Sequence, residues 1–216
     1  MAEILEYFRP GVSGWIFMWA LLLTAAFMVA IALERGYYIW VKSNINASMF
    51  MNEIRRLVVA GKYNQAVELC DSVSDKALPR VVRPGLQFVA RNKNVDFRAV
   101  QNSLDEGTLE VIPKLQERTG FLAMIGNVAT LIGLMGTIYG LIMAFSAVSH
   151  AGYDAAQKSA FLAAGISTAM NTTLMGLAIA VPAIMIYTII NTKTLKIIDE
   201  IDEHSVKLIN LLTGNH

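Results

Sequence analysis

Three stretches that contain no Asp, Glu, Lys or Arg constrain the fold of this chain more than any other feature. They cover residues 14–33, 120–149 and 159–192, which is 20, 30 and 34 residues. A helix needs about 20 apolar residues to cross the roughly 30 Å hydrocarbon core of a bilayer. The first stretch fits one crossing, whereas 30 helical residues would reach about 45 Å. We therefore predict an all-α membrane protein with three transmembrane helices, the second and third extending into a helical bundle on one side.

Composition supports this fold class and excludes several functions. The 216 residues are 55% hydrophobic and 16% charged, against roughly 25% charged residues in soluble domains. A net charge of +1 provides no basic surface for nucleic acid. The single cysteine, Cys70, excludes an internal disulfide and a multi-cysteine metal site, and we interpret it as a core residue.

The distribution of basic residues predicts the orientation of the chain. Of its 18 Lys and Arg residues, 13 lie between the first two stretches, and basic residues favour the cytoplasmic side. The N-terminus is therefore expected outside and the C-terminus inside. The predicted segments are a periplasmic N-terminus (1–13), transmembrane helix 1 (14–33), a cytoplasmic helical domain (34–119), transmembrane helix 2 with a cytoplasmic extension (120–149), a periplasmic loop (150–158), transmembrane helix 3 with a cytoplasmic extension (159–192) and a cytoplasmic amphipathic helix (193–216).

The segment between the first two stretches has the pattern of short helices. Apolar residues at spacings of three and four predict helices over about 47–60, 64–73 and 97–118, the last with Pro113 as a candidate kink. Pro79 and Pro84-Gly85 are expected to break the chain before a further helix near 86–91. No strand alternation is long enough to predict a sheet.

A search for catalytic motifs finds none in the sequence. It has no P-loop, no H-E-x-x-H and no G-x-S-x-G. His150, His204 and His216 are scattered over a loop, the tail helix and the terminus, so we interpret them without a ligand role. We expect no enzymatic activity and no cofactor.

Small and hydroxyl-bearing residues recur along the second and third stretches. In the second stretch, Asn127, Thr130 and Thr137 share one helical face, and Gly136-x-x-x-Gly140 is a close-packing motif. Two interpretations remain open for these residues and their counterparts in the third stretch: close packing alone, or a polar, hydrated seam between helices. Two amides at membrane depth favour the seam, because an amide cannot satisfy all its donors on its own helix. The predicted pathway-lining residues are Asn127, Thr130, Thr137, Thr168, Asn171, Thr172 and Thr173, and the predicted packing or kink residues are Gly133, Gly136, Gly140, Gly165, Gly176 and Pro182.

The absence of charge in the three stretches restricts how the protein could move ions. A proton relay or cation pathway usually needs an ionisable group at membrane depth. None of the stretches contains a carboxylate. If the chain moves ions, the acid must come from another polypeptide.

Two motifs resemble the ExbB/TolQ/MotA family of inner-membrane motor subunits, and most closely its ExbB/TolQ branch. They are GLMGTIYGLI, which begins at Gly133, and GISTAMNTTLMGL, which begins at Gly165 and is followed by AVPA at 180–183. The resemblance implies a homopentamer around a dimer of an ExbD/TolR-like single-span protein that supplies an intramembrane Asp. It also implies that Thr137 and Thr173 face that Asp, and that ion flow drives a TonB- or TolA-like protein from the phospholipid bilayer of the bacterial inner membrane.

The sequence departs from the family pattern at two places. Members of the ExbB/TolQ branch commonly carry Glu where this chain has Thr168, and Ala-Pro where it has Ala129-Thr130. Without that Glu, sodium bound by the oxygens of Thr168, Thr172 and Thr173 is an alternative to a proton, since hard cations prefer oxygen ligands. The driven process could be TonB-dependent uptake, Tol-type envelope maintenance or gliding-type motility. A passive membrane scaffold is the alternative from another functional class.

Overall fold

The structure, a computed structural model, describes residues 8–9, 14–92, 96–150 and 152–213, and over these residues the chain is helical, with no strand. Most of the predicted N-terminal segment, part of the predicted loop 150–158 and His216 therefore lie outside the described residues. The helices are α1 (Trp15–Tyr37), continued by a π-helical segment (Tyr38–Ser43), α2 (Ala47–Val59), α3 (Tyr63–Ser72), α4 (Ala77–Arg91), α5 (Phe97–Gln116), α6 (Thr119–Ser149) and α7 (Ala155–Thr213).

The predicted helical class is confirmed over the described residues, and three helical regions are long and apolar enough to cross a membrane. These regions lie within Trp15–Val59, Phe97–Ser149 and Ala155–Thr213. The third transmembrane stretch and the predicted amphipathic tail belong to one helix, because α7 continues without interruption for 59 residues, through Pro182.

The described residues form two compact units. The apolar unit comprises the described residues up to Leu33 together with Arg118–Thr188. The polar unit comprises Glu34–Glu117 and the described residues from Ile189 onwards. Both names are used below in this sense.

Helix α1 packs against α6 and α7 in the apolar unit. Leu21 lies in one buried cluster with Ala129, Ile179 and Ala180. Gly14 lies beside Thr168, seven residues before Leu21, so α1 runs in the same direction as α7. The rings of Phe17 and Tyr139 are 5.5 Å apart between centroids, which gives α6 the opposite direction, as three successive crossings require.

The polar unit has an aliphatic core formed by short helices. Helices α2, α3 and α5 confirm the predicted helices to within two residues. The core contains Ile54, Leu86, Leu104, Leu115 and Ile201, each less than 2% exposed. Charged side chains are paired at its surface, for example Arg83 with Asp71 at 2.6 Å.

The prediction that Pro79 and Pro84 break the chain is wrong. Helix α4 runs without interruption from Ala77 to Arg91 and includes both prolines. Pro79 lies in the first turn, where a backbone N–H has no helical partner to lose. Pro84 removes one internal hydrogen bond, at about 3 kcal/mol, but α4 buries Leu78, Val81, Val82, Leu86 and Val89, each stabilising by roughly 1.5–3 kcal/mol.

Candidate functional site

The seam between α6 and α7 is built on glycine. A Cβ atom at position 140 would lie 2.6 Å from the carbonyl oxygen of Gly165, and one at position 165 would lie equally close to the carbonyl oxygen of Gly140. Further along, a Cβ atom at Gly176 would lie 3.1 Å from the Cα atom of Gly133. The two backbones therefore touch, which is the packing by which apolar helices associate where burial from water gives no driving force.

Two threonines from different helices meet at the edge of this seam. Thr137 on α6 and Thr173 on α7 are half-buried, and their hydroxyl groups are within hydrogen-bonding contact. The Thr137 hydroxyl also lies 3.2 Å from the carbonyl oxygen of Gly133 and 3.4 Å from that of Ala169. The Thr173 hydroxyl lies 3.3 Å from the same Gly133 oxygen. We call Thr137 and Thr173 the hydroxyl pair; with the two carbonyl groups it forms a compact group of oxygen atoms with no formal charge.

Thr168 and Thr172 lie deeper in the apolar unit than the hydroxyl pair. They are 2% and 0% exposed. The Thr168 hydroxyl donates to the carbonyl oxygen of Ala164 at 2.9 Å. The Thr172 hydroxyl is 3.0 Å from the carbonyl oxygens of both Thr168 and Ala169. These hydroxyl groups thus bond to their own helix, as threonines in apolar helices commonly do.

The remaining polar residues predicted for the pathway are spread along the two helices. Asn171 is half-buried, and its amide donates to the Ser167 hydroxyl at 3.3 Å. Thr130 bonds to the carbonyl oxygen of Gly126 at 3.0 Å. Asn127 and Thr130 are exposed on α6. They precede Thr137 by about 15 and 10 Å along the helix axis, so within one chain the structure does not bring either of them to the hydroxyl pair.

The predicted packing residues have two kinds of environment. The five glycines are buried, whereas Pro182 is exposed within α7. Gly136 packs tightly against Thr172: a Cβ atom at position 136 would lie 2.5 Å from the Thr172 Cβ and Oγ1 atoms.

Sequence reasoning missed Gly14, which is buried and has a φ angle of +90°. A Cβ atom there would lie 2.6 Å from the Thr168 methyl carbon. Helical periodicity indicates which residues share a face of one helix, but it does not indicate which residues of another helix they meet. A glycine before a transmembrane helix therefore gave no signal of this contact.

The other candidates discussed from the sequence lie outside this seam. The His150 ring stacks on Tyr153 with 5.2 Å between centroids, and His204 is half-buried on α7 in the polar unit. Cys70 is buried in the polar unit, and burial, with the nearby Asp71 carboxylate adding to it, raises the pKa of its thiol to about 12. The thiol is therefore unreactive at neutral pH, as expected for a core residue.

The fold and the seam fit the class of multi-pass membrane proteins: the described residues are helical, with an uncharged, hydroxyl-bearing seam between glycine-packed helices. Residues 73–203, more than half of the chain, match the MotA/TolQ/ExbB proton channel family. The chain belongs to this family, which confirms the resemblance drawn from the two motifs.

Individual relatives agree with this assignment, and one solved structure shares the fold. The ExbB-like 3 protein of Synechocystis sp. is 27% identical over 157 residues, which covers 73% of this chain and 71% of that protein. The Tol-Pal system protein TolQ of Haemophilus influenzae is 41% identical over 76 residues, but the match covers only 35% of this chain and 32% of TolQ. The structure of C. jejuni MotAB has the same fold, with a TM-score of 0.63 and 15% identity over 98% of this chain and 81% of that one.

Proposed function

We propose that the chain is the ExbB/TolQ-like subunit of a proton-driven motor in the bacterial inner membrane. Five copies would surround a dimer of an ExbD/TolR-like single-span protein. An intramembrane Asp of that partner would face the hydroxyl pair, and proton flow past it would drive a TonB- or TolA-like protein in outer-membrane import or envelope maintenance.

The observation that carries this proposal is the hydroxyl pair in an uncharged seam. Thr137 and Thr173 come from different helices and combine with backbone carbonyl groups. Such a group can accept and donate hydrogen bonds to a carboxylic acid but cannot itself titrate near neutral pH. Because proton pathways at membrane depth usually need an ionisable group, the group must act together with an acid from another chain.

The proposed orientation places the polar unit in the cytoplasm. The alternating directions of α1, α6 and α7 are those of three consecutive crossings, and the excess of Lys and Arg between the first two crossings favours the cytoplasmic side. The N-terminus would then lie in the periplasm.

The environments of the threonines favour a proton over sodium. Sodium bound by Thr168, Thr172 and Thr173 would need hydroxyl oxygens that point into a common space. The hydroxyl groups of Thr168 and Thr172 instead bond to carbonyl groups of their own helix inside a closely packed region. Each hydroxyl oxygen keeps lone pairs while it donates, but Thr168 and Thr172 are 2% and 0% exposed, so sodium could reach those lone pairs only if this packing opened.

Ion flux into liposomes tests the proposal. The chain would be reconstituted with its single-span partner, and flux would be measured with and without sodium. Converting both Thr137 and Thr173 to Ala removes the hydroxyl pair, and we expect flux to fall by about 10²-fold, the scale lost when one preorganised hydrogen-bond donor is removed from a reacting site. The matched control converts Thr24 and Thr188 to Ala, because these threonines also bond to a carbonyl group four residues earlier, at 2.7 and 2.9 Å, but lie outside the seam.

Three results would each change the conclusion. Equal flux in the native protein and the variant that lacks the hydroxyl pair would support a passive scaffold. Flux that requires sodium would support the sodium alternative. Full flux without any partner would refute the proposal that the acid comes from another chain.

A further inference from the structure

The start of α1 is fixed by an unusual glycine. Gly14 has a φ angle of +90° and is buried, and its carbonyl oxygen accepts hydrogen bonds from the N–H groups of Phe17 and Met18 at 3.0 and 3.3 Å. Residues other than glycine rarely adopt this backbone conformation. Independently of the backbone, a Cβ atom at this position would lie 2.6 Å from the Thr168 methyl carbon and 3.9 Å from that of Thr172.

Thr168 and Thr172 therefore meet α1 with their methyl groups. Their hydroxyl groups bond to carbonyl oxygens of α7. The Thr168 methyl carbon lies against Gly14, and the Thr172 methyl carbon lies near it. Thr172 also fills the notch at Gly136 on α6, where an added Cβ atom would lie 2.8 Å from its methyl carbon. Thr172 thus packs against Gly136 of α6 and lies near the start of α1.

These contacts lead directly to the hydroxyl pair. Gly136 precedes Thr137 in the chain, and Thr172 precedes Thr173. The carbonyl oxygen of Ala169 lies near the hydroxyl groups of both Thr172 and Thr137, at 3.0 and 3.4 Å. A shift of Thr172 would therefore displace a residue on each side of the pair.

We infer that the start of α1 is a buttress for the hydroxyl pair, and that Gly14, Thr168 and Thr172 are positioning residues for ion transfer. This inference rests on the proposed function of the pair. It assigns the importance of Thr168 to its methyl group, whereas an ion ligand would act through its hydroxyl group. It also gives the first helix a role beyond membrane anchoring.

Two substitutions at position 168 separate the methyl group from the hydroxyl group. Thr168→Val keeps the shape that lies against Gly14 and removes the hydroxyl group, whereas Thr168→Ser keeps the hydroxyl group and removes the methyl group. We expect flux with the partner to stay near the native value for Thr168→Val. For Thr168→Ser we expect flux about tenfold lower. A 1 Å misplacement of a reacting group costs about 10²-fold in rate, and the loss of one methyl group should displace the hydroxyl pair by less than that.

A second readout reports the geometry of the pair without any flux. Thr137 and Thr173 are both replaced by Cys in a chain that also carries Cys70→Ala, and the rate of disulfide formation under mild oxidation is measured, since this reaction demands close and specific geometry. The rate is expected to be native-like with Thr168→Val and about tenfold lower with Thr168→Ser, for the same sub-ångström displacement. Gly14→Ala is also expected to lower it, and adding Thr168→Ser to Gly14→Ala is expected to restore part of the rate, because the methyl carbon that the new Cβ atom would strike is gone.

The outcomes distinguish the inference from the function on which it rests. If the native complex carries no ions, the proposed function fails, and the disulfide rates still decide whether the buttress exists. Equal disulfide rates in both position-168 variants would overturn the buttress even if the complex conducts. Loss of flux in Thr168→Val with native flux in Thr168→Ser would also overturn it, and would support Thr168 as an ion ligand.

Discussion

The apolar and polar units are both helical, but different forces hold their helices together. In the apolar unit α6 and α7 meet through buried glycines whose backbones touch, and the hydroxyl groups of the seam threonines bond to backbone carbonyl groups. In the polar unit, large aliphatic side chains fill the core, and ion pairs such as Arg80–Glu110, at 2.9 Å, lie at the surface. A helix pair in lipid gains from close approach, whereas one in water gains from removing apolar surface from the solvent.

The largest expected difference concerns access of water to a cysteine in each unit. Cys70 has a pKa raised from 9.0 to about 12 by burial, which reduces its thiolate fraction at pH 8 about a thousandfold. Asn127→Cys would place a second thiol at an exposed position of α6. We expect a charged, water-soluble thiol reagent to modify position 127 in membranes about 10³-fold faster than Cys70, as measured by mass spectrometry.

The native Cys70 in the same molecule serves as the control. A modification rate at position 127 as low as that of Cys70 would mean that this face of α6 meets lipid or protein, not a hydrated seam.

The buried thiol of Cys70 also makes the folding stability depend on pH. Because the pKa of Cys70 is raised in the folded state, the protonated thiol contributes its full stability below about pH 9. This contribution is lost as the pH rises toward 12.

A second prediction compares the loss of one buried leucine in each unit. Leu86 in the polar unit and Leu21 in the apolar unit are both 0% exposed. Leu86→Ala should lower the free energy of unfolding by about 3 kcal/mol, because it loses both the transfer free energy and the packing. Leu21→Ala should cost about half as much, since the unfolded segment remains in an apolar solvent.

The free energy of unfolding of both variants is measured by detergent-based unfolding in mixed micelles, with circular dichroism and thiol protection as the two signals. Equal costs would show that packing alone sets stability in both units and would remove the contrast.

A third prediction concerns a single methyl group at the seam. Gly140→Ala would place a Cβ atom 2.6 Å from the backbone oxygen of Gly165, and separating the two backbones should cost about 2 kcal/mol. Gly120→Ala is the matched control in the same helix, because nothing lies within 4 Å of its added Cβ atom. That variant should gain up to about 1 kcal/mol from helix propensity. Thermal unfolding in detergent should therefore shift in opposite directions, and a shift in the same direction would contradict the backbone contact.

The sequence predicted the helical class and the polar residues of the seam, but it did not predict which of these residues contact one another. Uncharged stretches of sufficient length predicted three crossings, because the bilayer fixes the length of a spanning helix. Thr137 and Thr173 followed from their motifs, but their meeting depends on the register of α6 against α7, which periodicity within either helix does not define. Gly14 and Thr168 are 154 positions apart, and neither carries a pattern that indicates the other. Pro84 does not end α4, because burial of the apolar face of this helix offsets the local penalty of the proline, and that burial depends on helices elsewhere in the chain.

Helix α4 illustrates a consequence for the order of events during synthesis. With two prolines in 15 residues, α4 has little reason to form on its own, and its apolar face meets α5 where a Cβ atom at Gly107 would lie 2.8 Å from the carbonyl oxygen of Val81. Residue 107 leaves the ribosome after every residue of α4 has emerged. The segment 77–91 therefore cannot complete its packing against α5 until residue 107 has been translated.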